Sequence, residues 1–220
     1  MARKRAYHHG DLRAALLKAA ASEIERKDYE TLSLRELAVS LGVSRSAPYR
    51  HFTDREELLA ALATQGFTDL LQRYSEGSPG KTPKARLRAC GHAYLALAAE
   101  RPQLFRLMFA SDLLGGERPP HPTLAQAATA CYLAFEALVA DTRPTADMRI
   151  VKAMAIAYSS AAYGFALLRA GNRLRPFMRA DLTDDELVAT ILALDAPAPM
   201  RRTGHAAEAR PARNGTGRNR

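Results

Sequence analysis

Between Gly42 and Phe52 the chain places Arg45, Ser46, Tyr49 and Arg50, two guanidinium groups flanking a hydroxyl and a phenol. An arginine fork matches the O6 and N7 acceptors of guanine, and a tyrosine hydroxyl can donate to a phosphate oxygen. Side chains of this kind at helical spacing can read base edges and hold a nucleic-acid backbone. Other chemistries are poorly supplied. Paired Glu-x-x-His ligands, a nucleophile with its base and a glycine-rich phosphate loop are all missing from the sequence. The expectation is a protein that is not an enzyme and uses no cofactor and no metal. His8 and His9 form one adjacent pair without further ligands at suitable spacing, and read as capping or phosphate-contacting residues. Cys90 and His92 stand two apart on an expected helix, so they point to different faces and do not share a metal.

Something must hold Arg45 to Arg50 outward. Upstream, Leu12, Leu16, Ala20 and Ile24 recur at helical spacing, with Asp11 as an expected N-cap. Ser33-Leu-Arg-Glu36 reads as a capping box that opens a short helix with Leu34, Leu37 and Leu41 on its apolar stripe. Gly42 supplies the left-handed residue that ends it. Val43 turns inward, and Ser44 is expected to cap a second short helix from Arg45 to Phe52, with Pro48 early enough to be tolerated. Asp54-Arg-Glu-Glu57 repeats the capping logic for a long helix to about Tyr74. Two short helices across a glycine, backed by a longer one, describe a helix-turn-helix over residues 33–52, within a head of residues 10–70.

Beyond it, Ser75-Glu-Gly-Ser-Pro-Gly80 reads as a linker. Five further helices are expected, at about 82–100, 102–112, 122–141, 145–170 and 184–194, punctuated by prolines. Thr183 and Glu186 frame a cap for the last. Strand alternation is nearly absent, so the fold class is all-α: the head, then a helical body over residues 71–195. Residues 196–220, rich in Pro, Arg, Ala, Gly and Asn, read as a disordered basic tail.

The formal net charge is +9. Arg3, Lys4 and Arg5 give the first ten residues +3, the last twenty carry +5, and the long middle keeps only +1. The charge therefore sits on two arms, which suits an anionic partner, nucleic acid before membrane. Two cysteines in no paired motif suit a reducing compartment. A basic start runs into a charged helix with no signal-peptide pattern, and the uncharged run Ala153 to Leu168 is short for a bilayer span. The expectation is a cytoplasmic protein without a membrane partner.

The run Thr31-Leu-Ser-Leu-Arg-Glu-Leu-Ala-Val-Ser-Leu-Gly-Val-Ser-Arg-Ser-Ala-Pro-Tyr-Arg-His-Phe52, continued by Thr53-Asp-Arg-Glu-Glu-Leu-Leu59, resembles the signature of the TetR family of bacterial transcription regulators. Tyr7-His-His-Gly-Asp-Leu-Arg13 is similar to a common start in one branch. The resemblance covers about residues 7–70. It implies three helices per head, a connecting helix, and an all-helical body that binds a small-molecule effector and dimerises. Carried over by position, Ser33 matches a capping residue that touches phosphate, and Arg35 a helix position that reaches a base in some members. Arg45, Ser46 and Ala47 fall where the family varies its sequence reading. Tyr49 and His51 match the aromatic-rich end of the recognition helix, with Tyr49 the phosphate contact, Gly42 is the turn glycine, and Arg55 stands where a lysine is frequent at a helix start suited to phosphate. Ser44 and Arg50 complete the expected DNA-binding set. Arg101-Pro-Gln-Leu-Phe-Arg-Leu-Met-Phe109 resembles a segment of members with a WHG-type C-terminal domain, although only Gly164 of that signature is kept.

The functional expectation is a ligand-responsive repressor acting as a homodimer on double-stranded operator DNA with inverted half-sites. Phe105, Met108, Phe109, Tyr132, Phe135, Met154 and Tyr158 could line a pocket for an apolar or aromatic effector, or pack as core. The resemblance places the dimer contact on helices 145–170 and 184–194, where Ala161, Ala162, Gly164 and Ala166 would permit close approach. An enzyme with incidental basic arms, and a non-specific architectural DNA binder, are the rival readings.

Overall fold

The computed structural model describes residues 9–76, 81–116, 119–179 and 181–193. The basic residues Arg3 to Arg5, His8, residues 77–80 of the expected linker and the tail from residue 194 lie outside the described residues. Among the described residues all regular structure is helical.

Helix α1, His9–Lys27, buries Leu12, Leu16, Leu17, Ala20 and Ile24 on one side. It begins before Asp11, which therefore lies within its first turn and is not the N-cap. Asp28, at φ 95, breaks the helix, and its carboxylate accepts from the Glu30 N–H to open a short 3₁₀ turn, Tyr29–Thr31. Helix α2, Leu34–Ser40, starts at Ser33, whose Oγ accepts from the Glu36 N–H at 3.4 Å. The expected reciprocal half of that box is not made, since Glu36 turns to Lys27 at 3.8 Å. Helix α3, Arg55–Glu76, is capped as its sequence suggests. Asp54 Oδ1 accepts from the Glu57 N–H at 2.8 Å, and the Glu57 carboxylate takes the Thr53 N–H at 2.6 Å and its hydroxyl at 2.8 Å.

Prolines open α4 (Pro83–Glu100), α5 (Pro102–Ala110) and α6 (Pro122–Asp141), where a missing N–H costs nothing. Helix α7, Met148–Ala170, is capped by Asp147 and so starts three residues later than periodicity suggests. A one-turn helix α8, Pro176–Arg179, was not legible in the sequence. Helix α9, Asp184–Ile191, has the complete Thr183–Glu186 capping box.

Helix α3 is the spine: it packs on α1 on one side and on α4, α5 and α6 on the other. A single apolar cluster runs from Leu12 to Leu192. Gly66 lets the Met108 side chain lie against α3, and Gly91 lets α9 lie on α4, where an added Cβ would stand 2.8 Å from Val188 Cγ1. The start of α5 has no side-chain cap of its own. Glu25 of α1 supplies one, accepting from the N–H groups of Gln103 and Leu104 at 3.0 Å each.

Helices α6 and α7 are long and apolar enough to cross a membrane by length and composition alone. Both pack on α4 and on each other, and 22% and 28% of their most apolar 18-residue stretches are buried. On α7 the uncovered side carries Ile150, Ile156, Leu167 and Leu168. Ala161 and Gly164 share that side, and a Cβ on Gly164 would meet nothing within 4 Å. Ala166, also expected there, is instead buried at 2% in the core, and Ala162 faces a cavity.

Candidate functional site

The expected second helix of the helix-turn-helix is a 3₁₀ helix of four residues, Ala47–Arg50, and not an α-helix from Arg45 to Phe52. The cause is Pro48. It has no N–H for an α-helical bond and biases Ala47 away from α geometry. The backbone instead closes in three-residue steps, Ala47 N–H to Ser44 O at 2.9 Å, Tyr49 to Ser46 at 3.2 Å and His51 to Pro48 at 2.9 Å. Ser44 does not cap it: its Oγ lies 3.3 Å from Ser46 Oγ, and the segment has no side-chain cap. Gly42 adopts φ 68, as the turn requires, and its N–H donates to Val39 O.

Pro48 and Phe52 are buried, Phe52 at 1%, and they nail the segment to the head from beneath. Most of the segment from Ser44 to Arg50 faces out. Ser44, Arg45, Ser46, Tyr49 and Arg50 are exposed, Tyr49 at 46%, while Ala47 and His51 are half-buried. Arg35 is exposed on α2 beside them and Ser33 half-buried at its start. Among the described residues, Arg35, Arg45 and Arg50 have no acidic partner. Exposed guanidinium groups without acidic partners on α2 and on the neighbouring turn make an anion-seeking surface.

Two residues not selected from sequence join this surface. Arg13 of α1 lies over the Phe52 ring, 5.1 Å from its centroid, which brings a further cation to the same end of the head. Val39, 58% exposed on α2, is an apolar group of the size that meets a thymine methyl. Arg13 is invisible to local pattern because Phe52 is far along the chain. Val39 is legible as a large apolar residue off the α2 stripe. Arg55, in contrast, is engaged elsewhere. Its Nη2 donates to the carbonyls of Tyr29 at 2.7 Å and Glu30 at 2.9 Å, so it locks the 3₁₀ turn after α1 to the start of α3.

A cavity of about 230 Å³ lies in the body between α3, α4, α5, α6 and α7. Of the seven expected pocket residues, Phe109, Tyr132, Phe135 and Tyr158 line it. Phe105, Met108 and Met154 do not. Phe105, 2% exposed, packs against Tyr94 and Phe109, Met108 fills the space over Gly66, and Met154 packs on the core. Residues missed from sequence include Phe67, Tyr74, Cys90, Tyr94 and Cys131. The Tyr74 hydroxyl contacts both thiols, and burial raises the pKa of all three groups, Cys131 to about 11. His92, two residues from the buried Cys90, is on the outside, 2.9 Å from Asp185. Among the described residues no group of three metal-ligating side chains occurs.

Residues 16–62 match the sequence profile of bacterial regulatory proteins of the tetR family, and residues 87–194 that of the tetracyclin repressor-like C-terminal domain. The HTH-type transcriptional regulator Rv1816 of Mycobacterium tuberculosis is 30% identical over 122 residues, 54% of this chain and 52% of that protein. The matched stretch thus spans about half the length of that curated relative. A protein of unknown function from Rhodococcus sp. RHA1 superposes with a TM-score of 0.70 at 29% identity, over 86% of this chain and 96% of that one. A tetR-family transcriptional regulator from Streptomyces coelicolor superposes at 0.65 and 22% identity, over 84% and 80%.

Proposed function

The chain belongs to the TetR family of bacterial regulatory proteins, and on that premise we propose that it is a ligand-responsive repressor, not an enzyme, that binds operator DNA as a homodimer in the cytoplasm. The observation that carries the reading is the segment Ser44 to Phe52, pinned by the buried Pro48 and Phe52, which holds Arg45, Tyr49 and Arg50 exposed and, for the arginines, without acidic partners among the described residues. In this reading residues 10–70 are the DNA-binding head and 71–195 the effector-binding and dimerising body. Arg45, Ser46, Ala47 and Arg50 enter the major groove and meet base edges. Ser33, Ser44, Tyr49, His51 and Arg13 hold the phosphates on either side, and Arg35 and Val39 reach the flanking base pairs. Arg55 serves indirectly, by fixing the head's own geometry.

The uncovered apolar side of α7, with α9 beside it, would meet its equivalent in a second copy about a two-fold axis. Two heads so joined suit half-sites about one helical turn apart, roughly 34–36 Å. An effector in the body's cavity that prefers a different head spacing lowers operator affinity by its differential binding to the two states. The test is selection of bound fragments from random DNA, followed by titration of the selected sequence at moderate salt. A consensus of two inverted half-sites supports the reading. Uniform affinity across sequences would replace it with a non-specific architectural role.

A further inference from the structure

We propose that the body's cavity takes up an uncharged molecule about the size of two fused aromatic rings and rejects charged molecules of the same shape, of either sign. The inference rests on the effector reading only in its consequence for DNA; the binding claim stands on the cavity itself.

Size comes from volume. An engineered dry cavity of about 150 Å³ accepts one benzene ring. At about 230 Å³ this one is half as large again, which suits a second fused ring and not a long chain. Shape comes from the walls. Phe67 and Tyr94 both stand edge-on to Phe109, with ring centroids 5.2 and 5.3 Å apart, so ring faces and edges are offered to a flat guest.

The charge rule comes from what the walls hold. Among the described residues, no Lys, Arg, His, Asp or Glu lines the cavity. The ionisable groups among these lining residues are tyrosines and the two cysteines. Burial pushes Tyr74, Tyr94 and Cys90 well above their ordinary range and Cys131 to about 11. These four are neutral near pH 7, so none of them can answer a carboxylate or an ammonium. A charged guest would lose its water and gain no counter-charge, which is costly. The protonated thiols also make poor nucleophiles, so the guest is held without a covalent bond. At the polar end, the Tyr74 hydroxyl and the two thiols can share hydrogen bonds with one hydroxyl or carbonyl. Tyr132, 37% exposed, and Ser159 stand at the mouth.

The experiment is calorimetric titration of the full chain with three probes of one shape: 2-naphthylmethanol, 2-naphthoate and 2-naphthylmethylammonium. The neutral probe is expected to bind, and each ion to bind at least about 100-fold more weakly. Ala162→Leu, which fills the cavity, should remove binding of the neutral probe. Ser159→Arg, which brings a cation to the mouth, should raise affinity for 2-naphthoate at least about tenfold, an effect that misfolding does not produce. Equal binding of all three probes, tighter binding of either ion, or no binding of the neutral probe would overturn the proposal. Adding operator DNA separates the two readings. A neutral probe that binds without changing operator affinity leaves the charge rule standing and removes the effector role. An ion that binds and releases the operator does the reverse.

Discussion

Asp28 and Arg106, 78 positions apart in sequence, meet at 2.8 Å, and the pair joins the 3₁₀ turn after α1 to the middle of α5. With Glu25 capping the first N–H groups of α5, it makes α1 and α5 one mechanical unit. Helix α5 also carries Phe109 into the cavity wall, so one helix links the head to the cavity.

Burial alone would raise the Asp28 carboxyl. The Glu30 N–H and Arg106 outweigh it and hold the group below its usual value of 3.8. A depressed folded-state pKa contributes stability in full above the unfolded value, and that contribution is lost as pH falls through the folded one. Asp28→Asn should therefore destabilise the protein by about 1 kcal/mol near neutrality, modest because the pair is partly exposed. The difference should shrink below about pH 4 in urea melts at several pH values. A gap that stays constant down to pH 3 would mean that the charge of Asp28 contributes nothing.

Glu25→Ala removes the borrowed cap of α5 and leaves two N–H groups unpaired. A loss of about 1–2 kcal/mol is expected in the same melts, as for other N-cap deletions. If stability were unchanged, α5 would have to draw its cap from water.

Arg45→Ala and Arg50→Ala are each expected to weaken specific DNA binding by about 1–3 kcal/mol and non-specific binding much less. Measured on the selected operator and on scrambled DNA, an unchanged ratio in both variants would move base reading off the 3₁₀ turn. Tyr49→Phe should weaken all duplexes by similar factors, because a phosphate contact carries no sequence information. A shifted base preference would place Tyr49 among the base-reading residues.

Gly164→Leu separates fold from assembly. Among the described residues a Cβ added at Gly164 meets nothing within 4 Å, so the change is expected to leave the single chain folded. In the proposed dimer it is crowded twice, at about 1–3 kcal/mol per copy. Sedimentation should show a shift towards monomer, with operator affinity falling more on two half-sites than on one. A fully dimeric variant with unaltered affinity would remove α7 from the interface.

Most helices were legible because their ends are written locally: Thr183 with Glu186, Asp54 with Glu57, and prolines at the first positions of α4, α5 and α6. The misreadings share a cause. Pro48 is tolerable near a helix start, yet in so short a segment its missing N–H decides the winding of the whole turn. Arg55 carries a local signal for phosphate, but carbonyls 25 and 26 residues away claim it first. Phe105 and Met108 have the composition of pocket residues, and only packing across helices decides that Met108 covers Gly66 while Phe109 faces the cavity. Glu25 gives no local sign of its role, because the helix that it caps begins nearly 80 residues later.

The tight winding between Pro48 and Phe52 also limits how much each head can spell. Four residues of 3₁₀ helix rise only about 8 Å, at about 2.0 Å each. A base step occupies about 3.4 Å. In the proposed complex the turn itself therefore faces two or three base pairs, to which Arg35 and Val39 add only the flanking positions, and words that short recur throughout any genome. The address must then lie in the punctuation: two brief words at one fixed separation, with the body serving as the ruler that measures the gap.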